Sequence, residues 1–174
     1  MIKIVLIVGA SGVGKDSLLK SIKNQANINF VKRYITREPD NNESNYYVDK
    51  EAFNLLKEKQ FFVSTWQAHG NSYGIARFDI KEGLNIISIS RDAIKDFENQ
   101  YEKVKTINIT VPLDILKQRL ENRARESQEQ IEKRLNRTYE KLEATNLIKF
   151  DNSESLEFSS KKFLNLIERI ENEF

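Results

Sequence analysis

The chain has 174 residues, 39% of them hydrophobic, which is enough for one globular domain (1–174) with a sizeable buried core. Lys and Arg total 28 against 26 Asp and Glu, so the formal net charge of +2 gives no electrostatic ground for a nucleic-acid or membrane partner. Cysteine is absent, which removes disulfides and thiolate metal sites and fits a cytoplasmic protein.

The opening run IKIVLIV, Ile2 to Val8, is continuous, apolar and rich in β-branched residues, and Gly9 ends it. That is the pattern of a strand buried on both faces of a parallel sheet. Within it the run IVLIV, five residues followed at once by a glycine turn, is far too short for a signal-peptide core or a membrane span. Helical spacing follows from Ser17 to Ile22. Further on, an apolar run at Leu84–Ile89, a helix from Asp92, a second run at Val104–Val111 and a helix over Leu113–Asn122 continue the alternation. Strands alternating with helices predict an α/β fold with a doubly wound parallel sheet.

Residues of about 33–82 have a different texture. The polar turn REPDNNESN, a short helix near Glu51–Lys59 and aromatic strands around Phe61–Tyr73 predict an inserted lobe. From about 123 to 142 runs a charged segment leading into a helix, with Ser127 and Gln130 spaced as a capping box. The tail, Ser159 to Phe174, has apolar residues at helical spacing and is expected to close the sheet. The core is therefore assigned to about 1–32, 83–122 and 143–174.

GASGVGKDSL, Gly9 to Leu18, carries the chemistry. Gly9, Gly14 and Lys15 satisfy G-x-x-x-x-G-K between a buried strand and a helix start, so Gly9, Ala10, Ser11, Gly12, Val13 and Gly14 form a phosphate-binding loop. Small residues let backbone N–H groups turn toward phosphate, the helix start adds its positive end, and Lys15 brings a mobile charge. The next position, where Ser or Thr is usual, holds Asp16. A carboxylate beside phosphates repels them unless a cation lies between, so Asp16, with Ser17 one residue on, is assigned to magnesium or its waters. A plainer role, favouring the helix start electrostatically, stays open. The core strand NIISIS ends in Ser90 and Arg91 without a carboxylate, which leaves Asp16 to compensate.

RYITREP (Arg33 to Pro39), WQAHGNSYG (Trp66 to Gly74) and RLENRARESQEQIEKRL (Arg119 to Leu135) follow the loop in this order. Together they resemble the guanylate kinase superfamily over nearly the whole chain. Within it, GKDSLL, RYITR, W-x-A-x-G-x-x-Y-G, SR after the core strand and RLENRxRE are most similar to the ribose 1,5-bisphosphate phosphokinase family of phosphonate catabolism. The resemblance implies an acceptor-binding middle lobe and an arginine-rich lid over ATP. It also places Arg123 over the adenine or α-phosphate side, and Arg134 with Arg137 at the transferring phosphoryl group. Departures from guanylate kinases fall where those enzymes hold GMP. Asp40 replaces a phosphate-clamping arginine, Ser64 and Thr65 stand where guanine is read, and Ile75 follows Y-G. Each removes a partner that a buried guanine would need, at about 1–3 kcal/mol per unsatisfied group.

For the acceptor, Arg33, Arg37 and Arg91 are candidate phosphate ligands, Thr36, Ser64, Ser88 and Ser90 offer hydroxyls, and Tyr73 would bridge to a phosphate. Trp66 and Phe61 are assigned to the core. His69, the lone histidine, is read as positional and not as a general base. In the lid, Arg119, Arg123, Arg125, Arg134 and Arg137 supply cations, as phosphoryl transfer requires, although interleaved acids also allow a salt-bridged surface helix. The expected activity is transfer of the γ-phosphoryl group of ATP, with magnesium, onto ribose 1,5-bisphosphate, with Lys15, Arg123, Arg134 and Arg137 catalytic. A nucleoside monophosphate kinase and a non-catalytic interaction module are the alternatives. The partner is a small phosphorylated molecule, and the protein is expected as a monomer or homodimer.

Overall fold

The first strand lies at the centre of a parallel sheet because six of its seven residues are apolar, and the exception, Lys3, sits near its start, where its Nζ donates to the Glu171 carbonyl. In the computed structural model, which describes residues 1–24, 27–38, 45–122, 129, 131–132, 135 and 142–174, β1 (Ile2–Val8) is flanked on both sides. The sheet runs β2 (Ile28–Val31), β7 (Gly83–Ser88), β1, β8 (Val104–Thr110), β9 (Leu147–Asp151), and every pairing in it is parallel. Ile4 to Val8 are fully buried, and they alternate between two layers. Val5 and Ile7 pack with Leu18 of α1 (Lys15–Ser21), Leu116 and Leu120 of α4 (Leu113–Asn122) and Phe163 of α5 (Leu156–Asn172). Ile4, Leu6 and Val8 pack with Ile94 and Phe97 of α3 (Ile94–Glu98). The fold is thus α/β with helices on both faces of a parallel sheet, and no described helix is long and apolar enough to cross a membrane.

A second sheet lies between β2 and β7 in the chain. Its order is β4 (Tyr46–Tyr47), β3 (Tyr34–Ile35), β6 (Asn71–Ala76), β5 (Phe62–Ala68), with α2 (Lys50–Glu58) packed beside it. Asp49 caps α2 by accepting a hydrogen bond from Ala52 N at 2.7 Å, which stabilises a short helix by about 1 kcal/mol. The β5–β6 turn has only His69 and Gly70 between paired Ala68 and Asn71, with φ of 51° and 75°. Two consecutive positive φ values match the twist of the hairpin and turn the chain tightly.

Several element boundaries differ from the sequence reading. The helix expected from Asp92 begins as a 3₁₀ turn, Arg91–Ala93, and becomes α-helical only at Ile94. The last helix starts at Leu156, where Ser155 Oγ accepts from Phe158 N, earlier than the apolar spacing suggested because Leu156 and Phe158 stay exposed. Strands β2 and β9 had no counterpart in the reading. Asn85, fully buried within β7, is satisfied by its own strand entry: its amide donates to the Lys3, Lys81 and Gly83 carbonyls, and its Oδ1 accepts from Lys81 N and Asn29 Nδ2.

Candidate functional site

The loop after β1 occupies the carboxyl edge of the sheet, where the chain has strands on both sides and open α/β folds form their crevices. Gly9 is held so close to β8 that an added Cβ would stand 2.5 Å from the Ile109 carbonyl oxygen. Gly14 has φ 90°, and a Cβ there would meet Asn152 Nδ2 at 2.7 Å. These contacts fix the backbone path on two sides. A third constraint comes from the Val13 carbonyl, which accepts from Asn152 Nδ2 at 2.7 Å and from Arg119 Nη1 at 3.2 Å. Arg119 also donates to the Asn152 carbonyl at 2.9 Å, closing a three-residue knot behind the loop. With that carbonyl held outward, the first turn of α1, which has no side-chain cap, presents its N–H groups on the open side. Lys15 Nζ lies over the loop and donates to the Gly9 and Ala10 carbonyls at 2.6 and 3.0 Å. A primary ammonium on a four-carbon stem can exchange those oxygens for phosphate oxygens without moving the backbone.

Asp16 and Ser17 are exposed in that first turn. One Asp16 oxygen is 3.9 Å from Arg33 Nη2, the Asp16 side chain being 61% exposed and Arg33 only 18%. Arg33 is further fixed by Asn45 Oδ1, which accepts from its backbone N–H at 3.4 Å and from its Nε at 3.3 Å. Its guanidinium lies 6.0 Å from the Tyr73 ring centroid.

In front of the loop opens a cleft of about 430 Å³. Gly9, Ala10 and Ser11 form one wall, the hairpin tip Gln67, Ala68 and His69 another, and the end of β7 with the 3₁₀ turn, Ile89 to Asp92, a third. Ser90 and Arg91 are thereby brought face to face with the loop after β1, and Ser90 Oγ lies 3.4 Å from Asp92 Oδ2. His69, read as positional, is in the cleft wall. Gln67 and Asp92 line the cleft as well, and neither stood out in the sequence.

Other candidate acceptor ligands stand outside that wall. Thr36 Oγ1 accepts from Ser72 N at 2.9 Å while its own N–H donates to the Ser72 carbonyl, so it locks β3 to β6. Arg37 is exposed beside it. Tyr73, 9% exposed, stacks on Trp66 with ring centroids 5.6 Å apart and planes within 8°. Ser64 is buried and donates to Asp96 Oδ2 at 2.6 Å, which ties the lobe to α3. Arg123, Arg134 and Arg137, with Arg125, Asp40, Ser127 and Gln130, lie outside the described residues. Arg119, grouped with the lid arginines in sequence, is instead a strut of the loop. Asn152 was missed altogether: had LIKFD been read as a core strand, the residue after it would have fallen at the carboxyl edge. Burial pushes the Asp79, Tyr34 and Tyr101 pKa values up, and none of the three lines the cleft.

The model of the guanylate kinase family matches residues 1–169. A ribose 1,5-bisphosphate phosphokinase of Desulfomicrobium baculatum is 37% identical over 163 residues, 88% of this chain and 87% of that protein. Enzymes of the same name from Agrobacterium fabrum and Bradyrhizobium diazoefficiens are each 32% identical, over 95% of this chain and 96% and 87% of theirs. Among solved structures, guanylate kinase from Anaplasma phagocytophilum superposes with a TM-score of 0.67 at 20% identity, covering 98% of this chain and 86% of that one. A gluconokinase from Sinorhizobium meliloti reaches 0.56 at 14% identity, over 98% and 94%.

Proposed function

Because the chain belongs to the guanylate kinase family, and within it to the ribose 1,5-bisphosphate phosphokinases, we propose that it transfers the γ-phosphoryl group of ATP to the anomeric phosphate of ribose 1,5-bisphosphate, giving 5-phosphoribosyl 1-diphosphate and ADP. The observation that carries the choice of acceptor is in the second sheet. Ser64 and Ile75 are paired across β5 and β6, 4% and 0% exposed, and the Ser64 hydroxyl is committed to Asp96. Where the resemblance expects groups that read guanine, this lobe has a spent hydroxyl and an apolar side chain. The cleft offers short polar side chains and an arginine, which suit a phosphorylated sugar.

In this reaction an oxygen of the acceptor's 1-phosphate forms the new bond to the γ-phosphorus as the bond to the β,γ-bridging oxygen of ATP breaks, and ADP departs with that electron pair. A phosphate monoester is largely dianionic at neutral pH, so the nucleophile needs no general base. The protein's task is to align the two substrates and to surround the transferring group with cations. We assign Gly9 to Gly14 and Lys15 to the ATP phosphates, Ser90 and Arg91 in the cleft and Arg33, Thr36, Arg37 and Tyr73 around it to the acceptor, Arg123 to the adenine or α-phosphate side of ATP, and Arg134 and Arg137 to the transferring group. Asp16 and Ser17 would hold magnesium. Among the described residues no cluster of three or more His, Cys, Asp or Glu forms a protein-only metal cage. An exposed carboxylate and hydroxyl at the start of α1 suit an ion that takes most of its ligands from phosphate and water. When bound, the ion neutralises charge on the β- and γ-phosphates.

The test is a coupled assay of ADP release with ribose 1,5-bisphosphate, GMP, AMP and dTMP as acceptors. Turnover with the sugar bisphosphate well above the others is expected. Preference for GMP would overturn the acceptor, and no ADP from any acceptor would overturn the enzyme.

A further inference from the structure

Ser88 closes β7, is 9% exposed, and its hydroxyl has no hydrogen-bond partner among the described residues. A buried hydroxyl left unpaired is costly, so its position calls for a reason. Ser88 is paired with Ile7, and residues paired across neighbouring strands point to the same face. Ile7, with Leu84 and Ile86 at alternate positions before Ser88, belongs to the layer that Leu18 of α1 joins. The hydroxyl therefore faces the α1 side of the sheet at its carboxyl edge. Asn108 Oδ1 also lacks a partner, but Asn108 pairs with Val8 and faces the other layer.

Asp16, in the first turn of α1, belongs to the same carboxyl edge of the sheet. Its oxygen is 3.9 Å from Arg33, which follows β2, and β7 lies between β2 and β1, the strand that feeds α1. The ion pair thus joins the start of α1, which follows β1, to the segment after β2, and Ser88 is the last residue of β7, the strand that those two flank. In other phosphate-binding-loop proteins an acid on a core strand and a hydroxyl on the loop share the magnesium ion. Here the two residue types are exchanged: the acid is on the helix and the hydroxyl ends the strand.

We infer that Ser88 is a positioning residue for the metal of the bound nucleotide, its hydroxyl serving an ion-held water while Asp16 supplies the charge. This rests on reading the loop as a magnesium–nucleotide site. The exchange has a physical merit. A carboxylate at a strand end that is nine-tenths buried would be desolvated in the empty enzyme, whereas Asp16 stays in water beside Arg33.

Manganese binding to the full-length protein with ADP, followed by electron paramagnetic resonance, tests this without turnover. Ser88→Ala should weaken manganese about threefold to tenfold, the effect of one lost hydrogen bond. Metal-free ADP affinity should hold, and the empty variant should melt no lower than the parent, since an orphan hydroxyl is removed. A hydroxyl with a structural role would instead lower the melting temperature and leave manganese unmoved, and that result overturns the inference. The double variant Asp16→Ser, Ser88→Asp, which restores the usual placement, should bind manganese better than Asp16→Ser alone; failure to do so in a folded protein also counts against it. Absence of ADP-dependent manganese binding in the parent overturns both the inference and the donor-site reading. The expected manganese results without turnover on ribose 1,5-bisphosphate would support the inference and strike only the acceptor assignment.

Discussion

The two sides of the cleft are built by different means. On the donor side the backbone does the work: consecutive residues from Gly9 to Gly14 follow a path set by the Ile109 carbonyl, by Asn152 and by Arg119. On the acceptor side the surface is assembled from side chains of distant segments, the hairpin tip at 67–69 and the turn at 89–92, with Arg33 anchored nearby. A loop pinned in this way offers main-chain N–H groups, whose chemistry does not depend on which side chains it carries. A wall of side chains can be rewritten one residue at a time.

The contrast is most open to attack at Lys15. Lys15→Ala should abolish transfer, by about a thousandfold or more, since a charge placed for the transition state is lost. Its melting curve should match the parent's, because solvent can serve the loop carbonyls that the ammonium touches. Near-normal turnover in that folded variant would break the donor-side account. On the acceptor side, Arg91→Ala should raise the KM for ribose 1,5-bisphosphate about tenfold to a hundredfold, the loss of a charged hydrogen bond, with the KM for ATP little changed. Movement of both constants together would mean that the two walls are not separable. Asn152→Ala sharpens the opposite case. It removes the shorter of the two hydrogen bonds that hold the Val13 carbonyl and should raise the KM for ATP about tenfold while sparing the acceptor's.

The smallest effect lies away from the cleft. Asp79 sits in a short turn with one carboxylate oxygen buried and unpaired among the described residues, and burial raises its pKa. A raised carboxylate stabilises the fold while protonated, below its unfolded value, and that contribution is lost as pH rises through the folded value. Asp79→Asn should therefore melt slightly higher than the parent at neutral pH, with the difference shrinking toward pH 4. A variant that melts lower at both pH values would show that the carboxylate is serving a contact instead.

The same division explains what could be read in advance. β1 and the loop after it were legible because an unbroken apolar run, Ile4 to Val8, that ends in a glycine has few structural options. α4 was legible because Leu116 and Leu120 repeat at helical spacing. β2 and β9 were not, because short edge strands such as INFV and LIKFD are only half buried and lack a clean alternation. Missing β9 hid Asn152, and with it the reason Arg119 points at the loop and not at the lid. Ser64 was grouped with ligands since nothing in one dimension brings Asp96 to it. His69 was set aside for its loop surroundings, and only the tight turn with Gly70 brings it to the cleft.

The central claim is that the γ-phosphoryl group ends on a sugar phosphate. Phosphorus NMR of the enzyme with ATP, magnesium and ribose 1,5-bisphosphate reads this directly. The anomeric monophosphate signal should be replaced by a coupled pair of diphosphate resonances in step with ADP. Inorganic phosphate alone, or diphosphate formation from GMP but not from the sugar, would contradict it.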